Sequence, residues 1–205
     1  MVERTACGLT DSLIKEGLIS KELGEWYTYS FIRIIESAIS MGTILFLSIL
    51  LNNTAQTILF LIFFNMLRRR TGGFHCSEFW QCYIISNLMY LLIVIGEPYV
   101  RQKETTEWLM TMLSAVWIIY VGTVNHPNVL YNTQELLRSK NLSRGILMVE
   151  LIFIVSMSAI GIARVYVSYM SMGIILCAVL ILFAKVFRQE VKDCENTKNT
   201  KKSIA

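Results

Sequence analysis

Ile58-Leu59-Phe60-Leu61-Ile62-Phe63-Phe64-Asn65-Met66-Leu67 runs directly into Arg68-Arg69-Arg70. The apolar run has almost no polar face to turn to water, and three adjacent cations have no place in a protein core. Together they read as a helix that lies in hydrocarbon and ends where the membrane meets water.

The pattern repeats on both sides of this stretch. Apolar blocks fall at roughly 37–51, 54–67, 83–96, 108–124, 146–163 and 170–187 in a chain of 205 residues. Hydrophobic residues make up 54% of the chain and charged residues only 17%, too apolar a balance for an ordinary soluble domain. One such block could be the core of a soluble protein; six in succession predict an all-α, polytopic membrane helix bundle. Several blocks are shorter than the ~20 residues that cross a ~30 Å hydrocarbon layer. The bundle is therefore expected to be squat or locally wet.

The basic residues set the orientation. With six spans and both termini on one side, sixteen of the nineteen Lys and Arg fall on that side, leaving only Arg101, Lys103 and Arg164 on the other. Cytoplasmic loops carry the excess of Lys and Arg, so both termini are predicted cytoplasmic in a multi-pass membrane protein. The net charge of +4 is this topological signature and calls for no nucleic acid. Glu3 comes early and no apolar stretch follows the start, so no cleavable signal peptide is expected. All five cysteines map to the cytoplasmic side or to membrane, where a disulfide framework is not expected.

The chain reads as one integral membrane domain with three parts. Residues 1–36 form an interfacial region, 37–187 the membrane bundle and 188–205 a polar cytoplasmic tail. Within the first, residues 9–35 predict an amphipathic helix on the inner leaflet: Leu9, Leu13, Ile14, Leu18, Leu23, Trp26, Tyr27 and Ile34 fall near helical spacing, Asp11, Lys15, Glu16, Lys21, Glu22 and Glu25 tend to the other face, and Gly17 and Gly24 weaken it into segments. The stretch 126–144 predicts a polar cytoplasmic loop with a short helix around 134–139. No block holds paired charges of the kind that mark an ion pathway. Glu150 lies inside the fifth block, where a carboxylate is expensive; it either faces the site or reaches back to the cytoplasmic edge, and the second is the favoured expectation.

Beyond the three arginines the chain continues Thr71-Gly72-Gly73-Phe74-His75-Cys76-Ser77-Glu78-Phe79-Trp80-Gln81-Cys82. It holds one of only two histidines and two of the five cysteines. An imidazole can take a thiol proton and leave a nucleophilic thiolate. On one straight helix His75 and Cys82 would share a face but lie ~10.5 Å apart along the axis, too far for a direct hydrogen bond. For the two to react together, the chain must turn between them or the helix carrying Cys82 must start after His75. Gly72-Gly73 can make the turn, and Ser77 followed by Glu78 suits the cap and first turn. Residues alone leave Cys76 and Cys82 equal as the reactive thiol, and either could be a small apolar residue with no chemistry. His75, Cys76 and Cys82, with His126 or Glu78 as a fourth ligand, could also hold Zn²⁺, although the spacing matches no strong zinc pattern.

The pattern Arg68-x4-Gly73-x-His75-x6-Cys82, following two short spans, resembles the accessory gene regulator B (AgrB) family, membrane-embedded cysteine endopeptidases of peptide quorum sensing in Gram-positive bacteria. The resemblance covers most of the chain. It implies that Cys82 is the nucleophile and His75 its base, which sets Cys76 aside, and that Arg68 and Gly73 are needed. The implied partner is an AgrD-like precursor peptide with an amphipathic N-terminal helix and an acidic C-terminal tail. The Cys82 thiolate would form an acyl-enzyme and release the tail; an internal Cys or Ser of the peptide would then close a thiolactone or lactone ring. No metal or cofactor is expected.

Arg68, Arg69 and Arg70 would attract the acidic tail, although for at least two of them membrane topology and lipid contact suffice. Glu78, Gln81 or Ser77 could orient His75. Membrane lipids are expected partners, and a homodimer suits so small a bundle. The competing readings are a small non-enzymatic transporter or scaffold and a zinc membrane hydrolase.

Overall fold

Helix is the only regular structure among the described residues, which in this computed structural model are 2–74, 78–124 and 133–187. The helices are α1 (Val2–Lys15), α2 (Gly24–Leu50), α3 (Thr54–Thr71), α4 (Phe79–Gln102), α5 (Glu104–Val121), α6 (Thr133–Ala159) and α7 (Arg164–Val186), with one 3-10 turn at Lys21–Leu23. The all-α membrane bundle is what the chain forms. Each of the six apolar blocks lies on one of α2 to α7. Four helices are long and apolar enough to cross a membrane: Lys21–Leu50, Phe79–Gln102, Gln134–Ala159 and Arg164–Val186. The other two, α3 and α5, have eighteen residues each, ~27 Å of helix. One ends on three arginines and the other begins near two glutamates.

The outer faces confirm which solvent the bundle is built for. Leu88, Leu92 and Ile95 on α4, Leu113 and Val116 on α5, and Val149 and Ile152 on α6 are all more than half exposed. Rows of this kind would be expensive in water and are at home in acyl chains.

Two boundaries differ from the sequence expectation. The amphipathic helix ends at Lys15, not 35. Gly17 takes φ 71°, its N–H bonds Ile14 O, and the Leu18 N–H bonds Leu13 O. That pair of bonds is a glycine-dependent helix stop. Residues from Gly24 on belong instead to the long α2. The polar stretch expected as a loop is, from Thr133, the first turns of α6, and the short helix expected at 134–139 runs on without a break to Ala159. Of its basic residues Arg138 is exposed, the Lys140 stem lies against Gly122, and the Arg144 guanidinium donates to Ile119 O at 3.0 and 3.1 Å.

The described chain gathers into two compact units, Met1–Asn52 with Ser77–Tyr90, and Asn53–Cys76 with Leu91–Ala205. In the first, α1 packs on α2. Thr28 Oγ1 donates to Thr10 Oγ1 at 3.0 Å, and the Ile14 side chain sits against Gly24. Tyr83, near the start of α4, shares a 3.1 Å hydrogen bond with Thr43 of α2.

In the second unit α7 is the central helix, packed on α3, α5 and α6. Its interior runs through Met170, Ile174, Cys177, Ile181 and Ala184, against Phe63 and Leu67 of α3, Ile118 of α5 and Leu147 and Ile154 of α6. Gly173 lets α7 approach α3 closely: a Cβ there would lie 3.1 Å from Phe64 N and 3.3 Å from Phe60 O.

The two ends of this unit are polar in different ways. At one, the carbonyl of Arg70 accepts hydrogen bonds from Thr123 Oγ1 (2.9 Å) and Ser139 Oγ (3.0 Å), while Val124 N–H reaches Thr71 O at 2.9 Å. At the other, Arg164 pairs with Glu104 and Glu107. Glu97 and Arg101 on α4 form a further ion pair at 2.9 Å. The carboxyls of Glu97 and Glu107 are both almost fully buried. Helices α4 and α5 therefore carry paired charges at their ends, beyond the apolar blocks in which none was expected. The apolar blocks stop at 96 and start at 108, so the paired residues stood just outside them.

Candidate functional site

The loop after α3 is held by the helix it leaves. Arg68, in the last turn of α3, turns its guanidinium back onto the chain: Nη1 donates to Gly72 O, and Nη2 donates to Phe74 O at 2.6 Å. The Arg68 carbonyl accepts the Gly72 N–H at 3.0 Å. Phe74 N–H then bonds Leu180 O of α7 at 3.0 Å, and the Phe74 ring meets Phe187 with 5.4 Å between centroids. Six residues after entering the turn, the backbone is thus fixed by a charged fork on one side and a helix carbonyl on the other.

This path requires glycine. Gly73 has φ 123°, a conformation that side-chain-bearing residues rarely adopt. A Cβ on Gly73 would run into the Arg68 guanidinium and lie 3.3 Å from the Leu180 backbone. Arg68 and Gly73, two of the residues singled out from the sequence, are thereby brought together. Arg69 and Arg70 are not: both side chains are exposed, and only the Arg70 carbonyl contributes to packing.

Cys82 sits in the first turn of α4, which begins at Phe79. Its N–H donates to Glu78 O at 3.3 Å, and its side chain is half-buried. Glu78 itself is exposed. Around Cys82, Phe79, Trp80 and Tyr83 form a ring cluster with centroid separations of 5.6 to 6.3 Å. The Tyr83 hydroxyl fixes this turn to α2 through Thr43. Helix α4 begins at Phe79, so the helix that carries Cys82 starts after His75 in the chain. The assignments of His75 as base, Cys76 as rival thiol and Ser77 as cap fall on residues outside those described, as does His126. The zinc alternative depends on the same residues.

Of the two expectations for Glu150, the favoured one does not hold. Glu150 does not reach back to the cytoplasmic edge but is buried on α6, 4% exposed. Neither of its carboxyl oxygens has a hydrogen-bond partner among the described residues. The signal for this was present: Leu147 and Ile154, one turn on either side, belong to the apolar stripe that α6 turns to the core.

A family model described as "Accessory gene regulator B" matches residues 6–187 of this chain. That match takes in the Arg68 fork, Gly73, Cys82 and all the described membrane helices. No curated protein and no solved structure matches the chain.

Proposed function

Because the chain belongs to the accessory gene regulator B family, a family of membrane proteins associated with autoinducer peptide processing in quorum sensing, we propose that it is a cysteine endopeptidase acting on an AgrD-like precursor. Cys82 is the nucleophile and His75 the base. The Cys82 S–H proton moves to the imidazole and the sulfur attacks the peptide carbonyl at the start of the acidic tail. The C–N bond breaks, the tail leaves with the proton on its new amine, and the remaining peptide is held as a thioester. An internal Cys or Ser of the peptide then attacks the thioester, frees Cys82 and closes the ring.

The observation that carries this reading is the Arg68 fork on Gly72 O and Phe74 O. Of the three arginines it is the one whose side chain is spent on the backbone immediately ahead of His75, and a base has to be held in register to work. The position of Cys82 supports it as well. The first turn of a helix presents N–H groups without helical partners, which suit a developing negative charge. A membrane edge also suits the chemistry, since exchange of a thioester for a thiolactone is near-balanced whereas hydrolysis is strongly downhill, so exclusion of water protects the intermediate. The active face and both termini are cytoplasmic in this reading, and the protein works as a single chain or a homodimer.

The test is mass spectrometry on cells co-expressing the protein and its candidate precursor. Released tail and cyclic product appear with the wild type and with Cys76→Ser, and are absent with Cys82→Ser and His75→Ala. Processing by Cys82→Ser would overturn the nucleophile.

A further inference from the structure

A helix leaves its last carbonyls without partners of its own, and the residues that follow usually satisfy them. Helix α3 has two of them satisfied from far along the chain. The Arg70 carbonyl accepts hydrogen bonds from the hydroxyls of Thr123, just past α5, and Ser139, in the second turn of α6. The next carbonyl, Thr71 O, accepts the Val124 N–H. Thr123 and Ser139 are both almost fully buried, so each hydroxyl depends on this bond rather than on water.

The two donors are themselves held in place. Gly122 ends α5 at φ 71°, and a Cβ there would stand 2.8 Å from Lys140 Cγ. Arg144, one turn after Lys140, donates from Nε and Nη2 to Ile119 O of α5. The start of α6 thus grips the end of α5, and from there both hydroxyls reach the end of α3.

Beyond Arg70 lies the loop of the candidate site. Gly72 has φ 66°, and a Cβ on it would stand 3.0 Å from Val124 O. The Arg68 fork holds the carbonyls of Gly72 and Phe74, and the Phe74 N–H bonds Leu180 O. The fork meets those carbonyls only while the last turn of α3 keeps its direction, and that direction is set at Arg70 and Thr71.

We propose that Thr123 and Ser139 are positioning residues of the candidate active site: by holding the Arg70 carbonyl from α5 and α6, they fix the turn at Gly72 and Gly73 on which the Arg68 fork acts. For its effect on processing the inference rests on the peptidase reading above; its effect on the loop does not. Neither hydroxyl touches the peptide or carries a proton in the reaction. Both act through the backbone of 70–74, where a displacement of about 1 Å is enough to slow a reaction about a hundredfold.

The experiment uses the full-length protein in membrane vesicles and has two readouts. Hydrogen exchange resolved by mass spectrometry follows the amides of 71–74, and tail release from the candidate precursor gives kcat and KM. The variants are Thr123→Val, which has the shape of threonine without the donor, Thr123→Ser, Ser139→Ala and the double variant Thr123→Val/Ser139→Ala. Arg68→Ala is measured alone and combined with the double variant. In either single variant the Arg70 carbonyl keeps one donor, so exchange rises and kcat falls about threefold. The double variant changes both by at least about tenfold with KM within about twofold, Thr123→Ser stays at the wild-type level, and the double change adds less than about twofold once the Arg68 fork is gone.

Unchanged exchange at 71–74 in the double variant would overturn the positioning role whatever happens to processing. Faster exchange with kcat at the wild-type level would overturn its part in the reaction. Exchange that rises equally along α3, α5 and α6, or a rate that Thr123→Ser fails to keep, would make the pair structural and overturn the proposal too. Tail release by Cys82→Ser would instead sink the peptidase reading and leave the hold on the loop standing.

Discussion

The Arg68 guanidinium occupies the space that a Gly73 side chain would need, and from there it donates to the carbonyls on either side, Gly72 and Phe74. Each residue is the condition for the other. Gly73→Ala places a Cβ against the fork at φ 123°, so either the backbone strains or Arg68 lets go. Residues forced into such regions cost about 1–3 kcal/mol each. Tail release from the co-expressed precursor is expected to fall at least tenfold while the protein still accumulates in membranes. Processing at the wild-type level would contradict the role given to the loop.

Lysine cannot replace the fork. Arg68→Lys keeps the charge but not two donors in a fixed plane, so it should behave like Arg68→Ala in tail release. Arg69→Gln and Arg70→Gln remove exposed charges and are each expected to change stability by less than about 0.5 kcal/mol and processing by less than a few-fold. Were Arg69 or Arg70 to matter as much as Arg68, an electrostatic hold on the acidic tail would outweigh the fork.

Helix α7 approaches α3 over Gly173, where Phe60 O, Phe63 Cβ and Phe64 N all stand within 3.3 Å of an added Cβ. Gly173→Leu must push the helices apart and should destabilise the second unit by at least about 2 kcal/mol. Thermal aggregation of the purified protein in detergent reads this directly. An unchanged transition would mean that the contact is looser than described.

At the opposite end of that unit the two partners of one ion pair are expected to respond unequally. Glu107 is buried and Arg164 is 44% exposed at its side chain. Arg164→Leu leaves the Glu107 carboxyl buried with its charge uncompensated, for which about 2–3 kcal/mol is expected after allowing for the exposure of the arginine. Glu107→Leu removes the buried charge and frees an arginine that can turn to water, so it should cost less. The same detergent melts compare the two variants.

Much of the architecture was legible in the chain because a bilayer imposes a length and a composition on its helices. The block from Ile58 to Leu67 ending on three arginines could be read as a membrane helix without any knowledge of its neighbours. Boundaries set by backbone conformation were harder. Gly17 was seen as a weak point, but that it stops α1 outright depends on the paired bonds to Leu13 and Ile14. The polar start of α6 looked like a loop because Arg138, Lys140 and Arg144 hide a helix whose apolar stripe begins only at Ile146.

The candidate site was legible as a list of residue types, not as an arrangement. The arginine triplet offered no signal that Arg68 would bind the backbone while Arg69 and Arg70 stayed in solvent. That distinction comes from the turn at Gly72 and Gly73, which brings two carbonyls within reach of one guanidinium. Glu150 was misjudged for a related reason. Glu150 lies near the edge of its apolar block but deep within α6, and the Leu147 and Ile154 side of that helix is closed.

The central claim is that Cys82 carries the peptide as a thioester. The direct measurement is intact-mass spectrometry of the purified protein after brief incubation with precursor in vesicles, followed by peptide mapping. The account predicts a mass gain equal to the precursor without its tail, located on Cys82, removed by hydroxylamine, and absent in Cys82→Ser. Tail release with no adduct on Cys82, or with the adduct on Cys76, would contradict it.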